Sequence, residues 1–142
     1  MLRRVPKAAL LAFVGRQKYG VVSSAGAEGQ PQSAVVGIAP TDDGRFVFDT
    51  LGTSRKAANL RRDPRVALVV WEGERTVQLE GVAVEPVGPE LERARSAYLR
   101  VFPDGVERLA WPHITHFVVE PRWARDSDFA ATPEPRIEEL EL

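Results

Sequence analysis

The segment from Phe46 to Val70, FVFDTLGTSRKAANLRRDPRVALVV, most constrains the fold because it contains the signals for a strand, a turn, a helix and a second strand. Aromatic and β-branched residues favour a strand at Phe46, Val47 and Phe48. Thr53 or Ser54 then serves as the helix N-cap, since both hydroxyls can accept a hydrogen bond from the first helical turn. The Asp-Pro pair ending at Pro64 stops the helix, and an apolar strand resumes after it.

The first turn of this predicted helix carries two cations, Arg55 and Lys56. The N-terminus of a helix is the positive end of its dipole, so first turns normally favour Asp and Glu. A phosphate would satisfy the arrangement, because free backbone N–H groups, a hydroxyl and two basic side chains would converge on it. The alternative is that both side chains point into solvent, where the unfavourable electrostatic effect is only a few tenths of a kcal/mol.

Length and composition limit the classes of protein to which this chain can belong. With 142 residues, 44% of them apolar, the sequence predicts one domain with a single core. Nineteen basic and 20 acidic residues give a net charge of −1, which disfavours nucleic acid and anionic membranes as partners. The chain has no cysteine, and this excludes disulfides, thiolate catalysis and cysteine-ligated metals.

No apolar run approaches the roughly 20 residues of a membrane span. The opening MLRRVPKAALLAFVG lacks a small-residue cleavage site. We therefore interpret it as a helix over 6–14, with Pro6 in its first turn and Leu10, Leu11 and Val14 facing inward. A cytoplasmic location is the expectation.

The remaining elements alternate strands with tight turns. Strands are predicted over 19–24, 32–39, 45–49, 66–71, 76–84 with a register change near Gly81, and 114–119 continued by 123–129; an amphipathic helix is predicted over 89–102. This antiparallel pattern of about six strands with non-adjacent closure predicts a small barrel. Such a barrel is filled by its own side chains, so a flat ligand must lie outside, in a crevice completed by a second copy of the chain.

Residues 1–130 are expected to form the single domain, and 131–142 an extended C-terminal tail, because this last stretch is acidic and Pro-rich. Its apolar residues, Ile137, Leu140 and Leu142, are expected to contact a neighbour.

Four stretches together carry a family resemblance: FVFDT, LGTSRKAANLRRDPRVALVV, ERTVQLEGVA and VEPRWARDSDF. They resemble the flavin-binding split-barrel family that includes pyridoxamine 5'-phosphate oxidase. The similarity runs from Leu10 to Phe129, and its most specific element is the S-R-K-x-x-N-L run followed by D-P-R-V. The resemblance implies a mainly β split barrel with flanking helices, forming a homodimer with one FMN at each end of the dimer interface.

The resemblance also implies which residues bind the cofactor. Ser54, Arg55 and Lys56 would hold the FMN phosphate, in agreement with the electrostatic argument above. The other expected positions lie along the ribityl chain or beside the ring: Thr50 and Leu51 at the strand end, Val36 and Gly37 on strand two, Thr76 and Gln78 from the other subunit, and Trp123 and Arg125 near the C-terminus. No catalytic acid or base and no metal ligand is assigned, because flavin chemistry requires mainly orientation and anchoring from the protein.

Two departures from the family pattern bear on the substrate. Pyridoxamine phosphate oxidases carry an Arg and a Lys on strand two, whereas SAVVGIA has no cation, and RWARDSDF lacks the basic substrate cluster. The sequence therefore predicts an FMN-dependent oxidoreductase that transfers hydride at flavin N5 to or from a different small organic substrate at the dimer interface.

Four alternatives remain open from sequence. A deazaflavin-dependent reductase would need more cations, for which Arg61 and Arg62 are candidates, although both would otherwise be a solvated face. A haem-binding relative would use His113 or His116; on a strand these two fall on opposite faces and would not chelate one metal together. A non-enzymatic flavin-binding protein would have the same pocket without turnover. A structural dimer without ligand would leave Arg55 and Lys56 unexplained.

Overall fold

The computed structural model describes residues 7–142, which form four helices and eight strands. The helices are α1 Lys7–Gln17, α2 Arg55–Arg62, α3 Gly88–Val101 and α4 Gly105–Arg108. The strands are β1 Tyr19–Ala25, β2 Pro31–Gly37, β3 Ala39–Pro40, β4 Phe46–Leu51, β5 Arg65–Glu72, β6 Arg75–Val84, β7 Ile114–Asp128 and β8 Arg136–Glu141. The predicted place of Pro6 in the first helix lies outside the described residues. No helix within 7–142 is long and apolar enough to cross a bilayer.

All strands belong to one antiparallel sheet in the order β2-β1-β5-β6-β7-β4-β3, and β8 lies beside β7. Strand β7 has β6 along one edge, while its other edge pairs first with β4 and then with β8. This arrangement curls the sheet into a split barrel with flanking helices, as the sequence predicts. The sheet has eight strands instead of about six, because the two-residue β3 and the tail strand β8 are added.

The predicted register change in β6 is confirmed at Glu80 and Gly81, where the pairing with β7 slips. Gly81 permits this because the backbone of β7 comes very close: a Cβ atom at Gly81 would lie 2.1 Å from the carbonyl oxygen of Glu120. Bulges of this kind bend a strand and increase its twist. The bend helps β6 follow the curl of the sheet.

The inner face of the curled sheet forms the main core. Phe48 and Phe117 stack there with ring centroids 5.7 Å apart, and both are fully buried. Helix α1 closes one side of this core with Leu10, Phe13 and Val14. Leu11, predicted to face inward, is only partly buried, because the i, i+3, i+4 stripe that begins at Leu10 continues to Phe13 instead.

A partly buried ion pair joins β6 to β7 beneath α1. Arg75 Nε and Nη2 donate to the two carboxylate oxygens of Asp126 at 3.0 and 2.7 Å, and Asp126 is only 2% exposed. The Arg75 guanidinium also lies 4.0 Å from the ring centroid of Phe13. The pair therefore satisfies a buried carboxylate and at the same time gives α1 a cation–π contact.

Helix α3 packs on the outer side of β3, β4 and β7 and forms a second apolar cluster. Tyr98 is buried in it, as the helical pattern predicts, and its hydroxyl donates to Asp49 at 2.9 Å. Arg108 of α4 donates to the other oxygen of Asp49 at 2.8 Å. Asp49 thus links β4 to α3 and α4, and burial raises the pKa of the Tyr98 hydroxyl.

Residues 131–142 contribute strand β8. Its residues Ile137 and Leu140 pair with Ser127 and Ala124 of β7, and Leu142 packs against the main core. β8 takes the edge of β7 beyond the point where pairing with β4 ends. In the structure this segment therefore lies against its own chain, with Ile137 39% exposed.

His116 lies on β7 directly opposite Asp49 and is 1% exposed. Its ring meets Tyr98 edge-on with centroids 5.6 Å apart, and its Nδ1 has no hydrogen-bond partner. Burial lowers the pKa of His116; Arg95 and Arg108 act in the same direction, and the Asp49 carboxylate opposes them. Burial therefore favours the neutral form of the His116 imidazole in the folded protein.

This buried imidazole predicts that acid destabilises the fold. Below the ordinary histidine pKa of about 6.5 the unfolded chain binds a proton that the folded chain resists, so stability falls as pH falls. The urea-measured free energy of unfolding should be lower at about pH 5.5 than at about pH 7.5. The His116→Leu variant should show a smaller difference between these two pH values.

His113→Asn is the matched control, because His113 is exposed, has a φ of 66° and Asn tolerates that conformation. It should keep the wild-type pH dependence. An identical pH dependence in His116→Leu and wild type would contradict the assignment.

Candidate functional site

Helix α2 begins immediately after Ser54, which is its N-cap. Ser54 has extended backbone angles, and its Oγ accepts a hydrogen bond from the backbone N–H of Ala57 at 3.1 Å. The sequence left Thr53 and Ser54 as alternatives, and the structure selects Ser54. Its hydroxyl therefore marks the positive end of the helix, beside Arg55 and Lys56.

Two hydroxyls and an ammonium group meet at this end of the helix. Lys56 Nζ donates to Thr50 Oγ1 at 3.0 Å, and Thr50 Oγ1 lies 3.2 Å from Ser54 Oγ. Burial lowers the pKa of Lys56, while the Asp49 carboxylate opposes the shift. The corner formed by Thr50, Ser54, Arg55 and Lys56, here called the α2 corner, thus holds a half-buried cation whose hydration is reduced.

The α2 corner opens into a pocket of about 280 Å³ between α2 and the inner side of β1 and β2. Its other walls include Ser24 on β1 and Gln32 and Ala34 on β2. None of the described residues that line it is acidic. A pocket with two cations, hydroxyls and the free N–H groups of a helix start is suited to an anion such as phosphate.

Two polar residues of this pocket region were not singled out from the sequence. Gln32 on β2 lies against Arg55, and Asn59, which is 5% exposed on α2, donates to Ser24 Oγ at 3.2 Å. Asn59 is the N of the S-R-K-x-x-N-L run, so a signal was present in the motif. Gln32 had no such signal, because its position depends on the pairing of β2 with β1.

The other predicted positions on β2 and β4 do not line the pocket. Val36 is buried on the inner face of β2, and a Cβ atom at Gly37 would lie 2.9 Å from the Phe102 ring. Leu51 is exposed at the end of β4, where it pairs with Ile114. Of the predicted positions on β2 and β4, Thr50 therefore belongs to the α2 corner, whereas Val36, Gly37 and Leu51 lie outside it.

Thr76, Gln78 and Trp123 lie on the other face of the sheet. Val77 and Leu79 alternate with Thr76 and Gln78 along β6. Because Val77 and Leu79 are buried on the inner face, Thr76 and Gln78 point outward. Trp123 pairs with Glu80 and lines a separate groove of about 530 Å³. One chain does not bring these residues to the α2 corner.

Arg125, the other predicted C-terminal position, is paired within the chain. Its guanidinium donates to Glu139 of β8 and lies 5.3 Å from the Trp123 ring centroid. No sequence pattern indicates this pair, because β8 was not predicted to join β7.

The next basic residues of α2 are also engaged. Arg61 donates to both oxygens of Glu85 at 2.8 and 2.7 Å and to the carbonyl of Gly52 at 2.7 Å. Arg62 donates to the carbonyl of Ala25 and to Asn59 Oδ1, both at 3.0 Å. These contacts tie α2 to the surrounding strands and do not direct the two guanidinium groups into the pocket.

Neither histidine lies at the α2 corner. His116 is buried among β4, β7 and α3, and His113 is exposed before β7 begins. Within residues 7–142, no group of three or more histidine, aspartate or glutamate side chains is arranged to hold a metal ion.

The sequence of this chain is similar to a known protein family. The sequence profile described as pyridoxamine 5'-phosphate oxidase matches residues 6–124. The pyridoxine/pyridoxamine 5'-phosphate oxidase of Paraburkholderia phymatum is 33% identical over 115 residues, which cover 78% of this chain and 52% of that protein. The chain thus spans about half the length of the curated relatives it matches.

Solved structures share the fold at low sequence identity. A heme binding protein from Mycobacterium smegmatis has a TM-score of 0.81 at 21% identity, covering 99% of this chain and 60% of that one. A pyridoxamine 5'-phosphate oxidase-related, FMN binding protein from Nostoc punctiforme has a TM-score of 0.73 at 12% identity, covering 97% and 98%. Since the family profile extends over most of the sequence, from residue 6 to residue 124, this chain belongs to the pyridoxamine 5'-phosphate oxidase family.

Proposed function

We propose that the chain binds FMN as a homodimer and acts as an FMN-dependent oxidoreductase on a small organic substrate. The observation that carries this proposal is the α2 corner, where Ser54, Arg55 and Lys56 line a pocket whose described walls contain no acidic residue. The FMN-binding relative from Nostoc punctiforme supports the choice of cofactor.

A phosphate monoester fits the corner electrostatically. The half-buried Lys56 ammonium has lost part of its hydration, and a dianion would replace the lost water. The N–H groups of the first turn of α2 and the Ser54 hydroxyl add donors at the positive end of the helix. Ser54, Arg55, Lys56 and Thr50 would therefore hold the FMN phosphate.

When bound, FMN supplies hydride transfer at its N5 atom. The chain's own residues position the cofactor. The α2 corner would anchor the phosphate, and the inner side of β2 would close the pocket. The pocket wall on β2 carries Ala34, and the run SAVVGIA contains no cation. The proposed substrate therefore has no phosphate group that β2 would have to bind.

A second copy would complete the site. The α2 corner opens on the inner side of β1 and β2, whereas Thr76 and Gln78 project from the outer face of β6. The α2 corner of one copy and Thr76 and Gln78 of another copy can contact the same ligand.

The outer face is also apolar enough to be covered. Val35, Val21, Val69 and Gln78 form one cross-strand row on it, and Val35 is 69% exposed. Trp71, 49% exposed, lies on the same face, opposite Thr76. A homodimer through this face would bury these side chains and bring Thr76 and Gln78 to the neighbouring pocket.

The engagement of Arg61 and Arg62 favours FMN over a deazaflavin. A longer acidic tail would need further cations along the groove, and the nearest two donate to Glu85, Gly52, Ala25 and Asn59 instead. Haem, which the Mycobacterium smegmatis protein is described as binding, is supported less well: His116 is buried beside Tyr98 of α3, and His113 lies outside the pocket.

The double variant Arg55→Ala/Lys56→Ala should lose FMN. Each charged hydrogen bond contributes about 1.5–3 kcal/mol, so the Kd for FMN should rise by about 100-fold or more. Riboflavin, which lacks the phosphate, should bind almost as before. Quenching of flavin fluorescence measures both affinities.

Arg93→Ala/Arg100→Ala is a matched control, because it removes two exposed cations of α3 at a distance from the pocket. It should bind FMN like wild type. Unchanged FMN affinity in the Arg55 and Lys56 double variant would falsify the phosphate assignment.

Val35→Glu should convert the dimer into a monomer, because the new carboxylate would be buried in the proposed interface without a partner. Sedimentation equilibrium measures the change, and FMN affinity should fall about tenfold as the partner's contacts are lost. Val87→Glu places the same charge at a residue that is also highly exposed, before α3, and should remain a dimer. A dimeric Val35→Glu protein rules out this face as the interface.

Turnover separates an oxidoreductase from a protein that only binds flavin. The FMN-loaded protein should be reduced by NADH or NADPH and reoxidised by oxygen or a quinone, as followed by the flavin absorbance. Reduction that never cycles under any of these conditions favours the binding protein.

A further inference from the structure

His116 is a buried titratable group that the proposed FMN site does not use. It lies on β7, is 1% exposed, and meets the ring of Tyr98 from α3 edge-on. Among the described residues, the buried side-chain nitrogens without a hydrogen-bond partner are Arg95 Nε and His116 Nδ1. The Arg95 guanidinium is always protonated, whereas His116 Nδ1 can take up a proton.

The Asp49 carboxylate faces the same space as His116. The two residues are directly opposite each other in the pairing of β4 with β7, where Cβ atoms lie about 4.5–5.5 Å apart. The Asp49 oxygens accept from Tyr98 Oη at 2.9 Å and from Arg108 Nε at 2.8 Å. With His116 neutral, this carboxylate therefore balances the charge of Arg108.

Charged groups surround His116 from every element packed against it. Asp49 on β4, Arg95 on α3 and Arg108 on α4 all act on it electrostatically. A proton on His116 adds a third cation beside a single carboxylate. Because an uncompensated buried charge is costly, protonation of His116 favours the departure of one of the other cations.

Arg108 is the cation that can leave this space. Its side chain is 21% exposed, and its Nη1 already donates at 3.0 Å to Asp104, an exposed carboxylate. Arg108 belongs to α4, a single helical turn in which Gly105 is the buried residue. The contact between Arg108 and Asp49 therefore ties this short helix to β4.

We propose that His116, Asp49 and Arg108 form an acid-operated latch on α4. On protonation, the His116 imidazolium pairs with Asp49, and Arg108 exchanges Asp49 for Asp104 and solvent. The step takes up one proton from solvent and breaks no covalent bond. Helix α4 is then released from β4, together with the residues that lead to β7.

The release extends to the turn before α2. The segment after α4 ends at His113, whose carbonyl oxygen accepts from the backbone N–H of Gly52 at 2.5 Å. None of the three latch residues lines the pocket at the α2 corner, so the latch does not depend on the identity of the cofactor.

Hydrogen–deuterium exchange of the full chain, read on peptides by mass spectrometry, tests the latch. The backbone N–H groups of Gly105, Leu109 and Trp111 donate within the segment, so their exchange reports its closure. Because opening takes up one proton, protection over 104–113 should fall by up to about tenfold per pH unit below about pH 6.5. Each rate is divided by that of an unstructured peptide at the same pH, and β5 and β6 should stay protected.

Replacing His116 should remove this pH dependence. His116→Leu cannot take up the proton, and His116→Gln, which also cannot, decides if the leucine variant does not fold. His113→Asn removes the chain's other histidine, which is exposed, and is the matched control. It should lose protection over 104–113 with the same pH dependence as wild type.

Arg108→Ala tests the other half of the latch. It should lower protection over 104–113 about tenfold or more already at about pH 7.5, the effect of losing a hydrogen bond between charged groups. Arg100→Ala removes an exposed arginine of α3 and should leave the segment protected.

Three results would overturn the latch. The first is a wild-type segment that keeps its protection down to about pH 5, well below the ordinary pKa of histidine. The second is an unchanged pH dependence in the folded His116 variants. The third is an equal loss of protection in β5 and β6, which would show global unfolding in place of a local release.

Discussion

The pairing of β7 with three other strands is the constraint on which the rest of the structure depends. β6 follows one edge of β7, while β4 and β8 share the other in succession. The sheet must therefore curl, and its inner face is filled by aromatic side chains such as Phe48 and Phe117. A filled interior leaves no room for a flat cofactor, so a binding site has to lie at the rim.

Cationic groups and hydroxyls lie together at the rim where α2 begins. There the helix start, two hydroxyls and two cations meet without an acidic residue among the described walls of the pocket. The ammonium of Lys56 donates to Thr50 Oγ1 there, and burial lowers its pKa. These features are the basis for the anion proposed in this pocket.

The sheet also divides the predicted cofactor residues between its two faces. Alternation along β6 sends Val77 and Leu79 inward and Gln78 outward. The α2 corner belongs to the inner side, so the outer-face residues can contact a ligand there only across an interface between copies. The apolar row that includes Val35 and Val69 gives this face a physical reason to be covered.

The sequence by itself determined the local elements and the basic residues of the α2 corner. The capping hydroxyl, the two cations and the stop at Asp63-Pro64 lie within one short segment, and the Gly81 irregularity is marked by its own residue. These features depend on backbone propensity and helix electrostatics, which act between near neighbours in the chain.

Only the tertiary structure decided which distant groups meet. It placed Phe13 in the core in preference to Leu11, joined β8 to β7, paired Arg125 with Glu139, and set Gln32 against Arg55 and Asn59. Each of these contacts requires strand partners or a helix packing angle, and no local pattern specifies them. The sequence contained the cations of the α2 corner, whereas the fold brought Gln32 and Asn59 beside them.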